Sequence, residues 1–485
     1  MISSLAYGLE NEGSPDAPEG LPAEETDVLM GMRIEQAVES DDGLQITATG
    51  STFDLRNDAR ILCSQRIPQE RELLAIHLPA STMPWSLAKQ NDFACKVAGT
   101  GIRMDIQGDS LIILTAERNT EVVFEGLFRP VYWTHKDGCY LLIDRHGGFG
   151  IFPASNSSSA PEWKWVDQDG QRGLPPALKN KQPQNLPSQP WRIVCNLIKG
   201  DEVWVSVFPP RPYNWQRSFE PLAHEGSDRP LEKYAYPSDE LIRSAARYCK
   251  VFTVHSFIWP GGDYAPWRIP KFVPSDRQKF KRMCDSIPRN NMKLVFYLSP
   301  LYYSGNDLFG ELRRVVAEYQ ADGFYFDGVS RDFRESYHIM RHGRRILGDD
   351  RILYVHCSSD PLGSRTIYCP FIDTYSDFIL RGEAGLGGLS LDNFMRWVCS
   401  GYNISNSVGY WCHYGMGGGK DYDFRVPTSE DINASLDNEA RIFRAEGTWK
   451  VQGVTTEGAM RNFDRKYYSK LEQLRRKAER RKHLD

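Results

Sequence analysis

The chain has 485 residues, more than one ordinary core takes up, so two domains are expected, and a barrel of typical size would occupy roughly 250 of them. Hydrophobic residues at 41% and charged residues at 25% are those of a globular protein. A formal net charge of −4, with both signs mixed along the chain, excludes the electrostatic footprint of a nucleic-acid or anionic-membrane binder. The ten cysteines form no CxxC pair, which argues against a zinc ribbon and a dense disulfide framework.

Residues 1–27 are rich in Gly, Pro, Glu and Ser and carry neither a basic n-region nor an apolar h-region, so a flexible leader on a cytoplasmic protein is expected. Secretion after processing is the alternative. Residues 28–210 then run through short apolar or alternating segments separated by Gly, Asn and Asp: LQITATGSTFDLR, LLAIHL, SLIILTA, TEVVFEGLF, CYLLID, GFGIFPA and EVWVSVF. That pattern predicts an antiparallel β-sandwich. A polar, Pro-rich stretch at 157–190 reads as a surface excursion, and Pro209, Pro210 and Pro212 stiffen the crossover into the second half.

From residue 211 to 485 the rhythm becomes helix, apolar strand, helix. DELIRSAARYCK (239–250) has helical spacing behind a Ser238/Asp239 start signal, and FTVHSFIW follows it. Further strands are expected at 293–300, 322–330, 351–359, 373–383 and 407–415, with helices at 308–320 and 335–347. Near-continuous apolar runs mark strands buried on both faces, as parallel sheets require. No GxGxxG or GxxxxGK[ST] follows any strand, and polar groups recur at many strand ends. A closed barrel and a doubly wound open sheet both have such strands, and on these two observations the (β/α)8 barrel is the expectation, followed by a C-terminal helix whose basic run RRKAERRK is a solvated face.

A barrel places its active site at the C-terminal ends of its strands. The side chains there are His255 and Trp259, then Tyr297, Ser299 and Tyr302, then Asp327, His356, Asp377 and Glu383, and last Tyr410 and His413. Asp327 is the sharpest case: GFYFDG puts a carboxylate directly after an aromatic strand and before a glycine, where an unused charge is costly. Its bland alternative is an ion pair with Arg331. Acid/base work needs a second carboxylate across the mouth, and Glu383 is preferred to Asp377 for its strand-end position. Trp259, Tyr302 and Tyr410 would stack on sugar rings, while Tyr297, Arg331, His356, Asp377, His255 and His413 would bind hydroxyls. His255, His356 and His413 raise a metal site as a rival, although no HxH or HExxH spacing exists.

At DGFYFDG, taken with VHSFIW, KLVFYLSP and ILRGE, the chain resembles glycoside hydrolase barrels with an N-terminal β-sandwich, nearest in architecture to the family 31 and 36 α-glycosidases. The resemblance implies that Asp327, ending strand four, is the nucleophile and Glu383, two strands on, the acid/base. In the α-galactosidase branch a Lys often stands two residues before the nucleophile, where this chain has Tyr325, and the acid/base is usually Asp. The expectation is a retaining glycosidase acting on an oligosaccharide or glycoside without a cofactor. The alternatives are a carbohydrate-binding pseudoenzyme with the same cleft and a metal-dependent barrel hydrolase.

Overall fold

The computed structural model describes most of residues 28–445; the longest stretches outside it are 155–161, 174–191, 227–235, 261–268, 357–368, 381–389, 400–406 and 415–422. The leader expected at 1–27 and the basic run at 475–482 also lie outside the described residues.

Two antiparallel sheets occupy the N-terminal part. One has nine strands, beginning with the meander Ile34–Ser40, Gly43–Ala48, Ser51–Arg56, Arg60–Gln65 and Arg71–His77. The other has eight, with Cys139–Asp144, Gly147–Ala154, Glu202–Phe208 and Leu111–Ala116 at its centre. In Ser51–Arg56, Ser51, Phe53 and Leu55 are buried while Thr52, Asp54 and Arg56 are half-exposed, the period of two that puts one face of a strand on a core.

The central strands of the eight-stranded sheet break that period. All six residues of Cys139–Asp144 are buried. Tyr140 and Leu142 pack into the core between the two sheets, whereas Cys139, Leu141 and Ile143 join a second core shared with the helices that follow. Likewise Val203, Val205 and Val207 face one core and Trp204 and Phe208 the other. This sheet is thus covered on both sides, which is why CYLLID and EVWVSVF read as continuous apolar runs.

The C-terminal part is a parallel sheet of short strands: β1 (Leu222–Gly226), β2 (Val251–Val254), β3 (Lys293–Leu298), β4 (Gly323–Asp327), β5 (Ile352–His356), β6 (Phe378–Leu380), β7 (Ser407–Tyr410), β8 (Arg441–Ile442) and β9 (Arg444–Ala445). Each of β1 to β7 pairs with the next in sequence, β8 pairs with β7, and β9 pairs with β1. The connections carry α1 (Asp239–Ala245), α2 (Arg277–Arg289), α3 (Leu308–Tyr319), α4 (Phe333–Leu347), α5 (Pro370–Asp373), α6 (Leu391–Phe394) and α7 (Ser429–Asp437). Ser238, the start signal read from the sequence, accepts from the Leu241 N–H at 3.1 Å, and Asp276, Asp307 and Asp332 cap α2, α3 and α4 in the same way.

The period of two sorts the strand side chains. Phe252, Val254, Leu294, Phe296, Leu298, Phe324, Phe326, Leu353 and Val355 face the helices. Leu222, Val251, Val295, Tyr297, Tyr325, Ile352, Tyr354, Phe378 and Leu380, drawn from six strands, form a separate cluster on the opposite face and are all buried. Expected and observed spans agree closely for β3, β4, β5, α3 and α4. The expected strand at 373–383 is shorter: Pro370 starts the turn of α5, and β6 begins only at Phe378. The expected strand at 407–415 is divided, since Ser407–Tyr410 joins the parallel sheet while His413–Tyr414 pairs antiparallel with Asp423–Phe424.

Candidate active site

Asp327 is the last residue of β4, with its side chain 23% exposed. Gly323, Tyr325 and Asp327 alternate with Phe324 and Phe326, so the carboxylate lies on the same face as the Tyr297, Tyr325 and Tyr354 cluster and at its C-terminal edge. Gly328 follows with φ +77°, a left-handed backbone that a side chain disfavours, and this turns the chain immediately after the carboxylate.

Neighbouring strands supply the partners. His356 ends β5 directly opposite Asp327 in the register, and its Nδ1 is 2.7 Å from Asp327 Oδ1. Tyr297 of β3 sits opposite Tyr325, one inward-facing position lower, and its phenol reaches up to donate to Asp327 Oδ2. Ser299, just beyond β3, donates from Oγ to the Asp327 backbone carbonyl. Beneath them the rings interlock: Tyr297 meets Tyr325 edge-on at 5.0 Å, and Tyr325 lies 4.3 Å from Tyr354. Three adjacent strands therefore hold one carboxylate at the open end of the sheet, on a floor of tyrosines.

Two expected substrate contacts belong elsewhere. Trp259 is fully buried, with Phe272, Phe280 and Phe296 around its ring and its indole N–H donated to the Tyr297 carbonyl at 2.9 Å, so it is core and not a sugar platform. Asp377 precedes β6 at the opposite end of the sheet from Asp327. It accepts from Arg344 Nη2 at 2.7 Å and from the Leu353 N–H at 2.9 Å, with the carboxylate 4% exposed and the guanidinium fully buried. A group so paired and so placed has no path to a ligand at the strand C-termini.

Tyr302 ends the turn Pro300–Tyr302 after β3 and is half-buried. Tyr410 ends β7, and His413 lies in the short antiparallel pair beyond it. Glu383, His255 and Arg331 lie outside the described residues. The site is thus built around Asp327, Tyr297 and His356, and among the described residues no group of three His, Cys, Asp or Glu side chains could hold a metal ion.

Sequence reasoning singled out both Tyr297 and His356 but assigned them to substrate. What it lacked was the register: only the pairing of β3, β4 and β5 puts their polar ends on Asp327.

No protein-family model matches the sequence, and no curated protein matches it. Solved structures do. A GH31 alpha-xylosidase from a soil metagenome matches at 7% identity and TM-score 0.42, over 91% of this chain and 84% of that one. A GH36 alpha-galactosidase, AgaA from Geobacillus stearothermophilus, matches at 10% identity and TM-score 0.42, over 91% and 71%. The ER glucosidase II complex matches at 9% identity and TM-score 0.40, over 90% of this chain and 59% of that one. All three of these matched structures are glycoside hydrolases.

Proposed function

We propose that the chain is a retaining glycoside hydrolase in which Asp327 is the nucleophile and Glu383 the acid/base, on a (β/α)8 barrel that follows an N-terminal β-sandwich. The division between the two is placed near residue 210. The closed barrel is supported by the edge pairings, because β8 and β9 flank residue 443 and pair with β7 and β1 respectively. It is supported too by the inner cluster, which is buried by side chains from its own strands.

The observation that carries the function is the partly exposed carboxylate of Asp327 at the C-terminal end of β4, oriented from both sides by neutral-capable donors, a phenol and an imidazole. In the first step a carboxylate oxygen of Asp327 bonds to the anomeric carbon while the carboxyl proton of Glu383 passes to the departing glycosidic oxygen. Water then attacks the same carbon as Glu383 takes its proton, and the ester bond breaks to restore the carboxylate. The two carboxyl groups would stand about 5–5.5 Å apart for this outcome, against about 6.5–9.5 Å for inversion. Tyr302, Tyr410, His255, Arg331 and His413 are the side chains proposed to line the sugar subsites.

The test is a panel of aryl α- and β-glycosides against the wild type and Asp327→Asn. Turnover by the wild type that falls to background in the folded variant supports the reading. Equal rates in the two proteins exclude Asp327 as nucleophile. A second reading, a sugar-binding protein without catalysis, is favoured by the fact that both oxygens of Asp327 already accept hydrogen bonds within the protein. Saturable sugar binding with no hydrolysis by the wild type would establish it.

A further inference from the structure

Beyond the identity of the nucleophile, we propose that Tyr297 and His356 are positioning residues that fix the plane of the Asp327 carboxylate, with His356 held as its Nδ1–H tautomer, and are not contacts for substrate. The assignment of a catalytic purpose to this arrangement rests on the glycosidase reading.

The geometry is set by strand order. Asp327 lies on the middle of three adjacent parallel strands, and one donor comes from each flank: Tyr297 from β3 to Oδ2, and His356 from β5 to Oδ1 at 2.7 Å. Each carboxylate oxygen has two in-plane lone pairs. One on each is engaged, which stops rotation about the terminal torsion of Asp327 and leaves the other lone pair of each oxygen available for a reacting atom. Ser299 adds a third restraint on the backbone carbonyl of the same residue.

The donors are themselves immobilised. Tyr297 is 5% exposed and wedged edge-on against Tyr325, so its hydroxyl serves the carboxylate from below and is not presented to a sugar. The His356 imidazole lies nearly parallel to the Tyr325 ring, at 6.5 Å and 16°. Because an ionised carboxylate only accepts, the proton between His356 and Asp327 must sit on Nδ1, and in the neutral ring Nε2 is then an acceptor. A nucleophile held within a fraction of an ångström of its line of attack is what such a shell provides.

Two measurements decide the proposal. In protein carrying 15N-labelled histidine, long-range 1H–15N correlations, assigned with His356→Ala, should show His356 protonated at Nδ1, and Asp327→Ala should shift it toward the Nε2–H form preferred in water. An Nε2–H form in the wild type overturns the proposal, whatever the protein's activity.

On the glycoside that the wild type turns over best, Tyr297→Phe and His356→Ala should lower kcat by roughly 100-fold with KM little changed. His356→Asn, which keeps an N–H donor near the Nδ1 position, should recover part of that loss. A raised KM with unchanged kcat would make the two residues substrate contacts and overturn the proposal. Should Tyr297→Phe fail to fold, the two His356 variants carry the kinetic arm. If the wild type turns over no glycoside, the glycosidase reading falls, and the tautomer measurement still decides whether His356 is held by Asp327.

Discussion

Asp109, in the turn before Leu111–Ala116 of the sandwich, accepts a hydrogen bond from the hydroxyl of Tyr337 in α4 at 2.9 Å. The same carboxylate oxygen accepts from Tyr375, just after α5, at 2.7 Å, and the side chain is wholly buried. Around it Trp204 stands edge-on to Phe333 at 5.2 Å, and Phe152 to Phe371 at 5.0 Å. The Arg211 guanidinium donates to the Thr374 carbonyl at 3.1 Å. The sandwich is therefore joined to α4 and α5, and α4 is the helix that directly follows β4 and Asp327.

Burial pushes the Asp109 carboxyl above the ordinary aspartate range, against the opposing effects of Arg341 and of the two tyrosine donors. A carboxyl whose folded value exceeds its unfolded value binds its proton more tightly when folded. Its contribution to stability is complete below the unfolded value and is lost as pH rises through the folded one. Asp109→Asn removes that titration, so the wild type should lose thermal stability relative to the variant as pH is raised from about 4 toward neutrality. Parallel melting profiles for the two proteins would refute this. Asp109→Ala, which strands two buried phenols, should cost about 2–4 kcal/mol in urea unfolding, more than Asp109→Asn.

The pair between Arg344 and Asp377 makes a separate prediction at the other end of the sheet. Both side chains are buried, and Arg344 also donates to the Tyr375 carbonyl at 2.9 Å and to the Arg351 carbonyl at 2.9 Å. Asp377→Asn leaves the guanidinium without its counter-charge, so unfolding free energy should fall by roughly 3–5 kcal/mol. Affinity for any sugar ligand should be unchanged, because Asp377 is remote from the strand C-termini. Weakened ligand binding at equal folded fraction, measured by calorimetry, would restore Asp377 to the site.

The order of elements was legible because it depends on local signals. Ser238 announces a helix, and apolar runs such as KLVFYL and GFYFD announce strands flanked by parallel neighbours. Asp327 stood out for the same reason, as a charge between an aromatic strand and a glycine, and in the structure that glycine has a positive φ. Asp377 was misplaced because DTYSDFILRGE looks like one strand, whereas Pro370 fixes a helical turn and the strand begins only at Phe378. Asp109 gave no signal at all: QGDSL reads as an ordinary turn, and its burial comes from Tyr337 and Tyr375, more than 220 residues away.

Trp259 shows the limit of reading aromatics by position. Trp-Pro-Gly-Gly has the composition of a loop at a barrel mouth, yet its ring fills the space between β3 and helices α2 and α3, against Phe280, Phe296 and Tyr319. Trp259→Ala should therefore cost about 3–5 kcal/mol of stability, the penalty for emptying a large core site. Trp259→Phe should recover much of this. In the folded fraction KM should stay unchanged, and a selective rise in KM with normal stability would place the ring at a subsite after all.

Gly323 opens β4, four residues before Asp327, and a Cβ there would press on the Ile352 carbonyl of β5 and come within 2.7 Å of the Ile352 side chain. The obstacle is backbone, so it cannot be relieved by rotating a side chain. Gly323→Ala must push β4 away from β5, the strand that carries His356 opposite Asp327. Overpacking of this kind costs about 1–3 kcal/mol, which leaves a protein of this size folded. The separation of the two strands should be read at the site: the Nδ1 contact with Asp327 lengthens, the His356 tautomer signal shifts toward Nε2–H, and turnover falls with KM little changed. Gly348→Ala is the control, because that position has a positive φ but nothing within 4 Å of an added Cβ, so it carries backbone strain without parting the strands. Equal losses of turnover in the two variants would show that general destabilisation, and not the spacing between β4 and β5, governs the site.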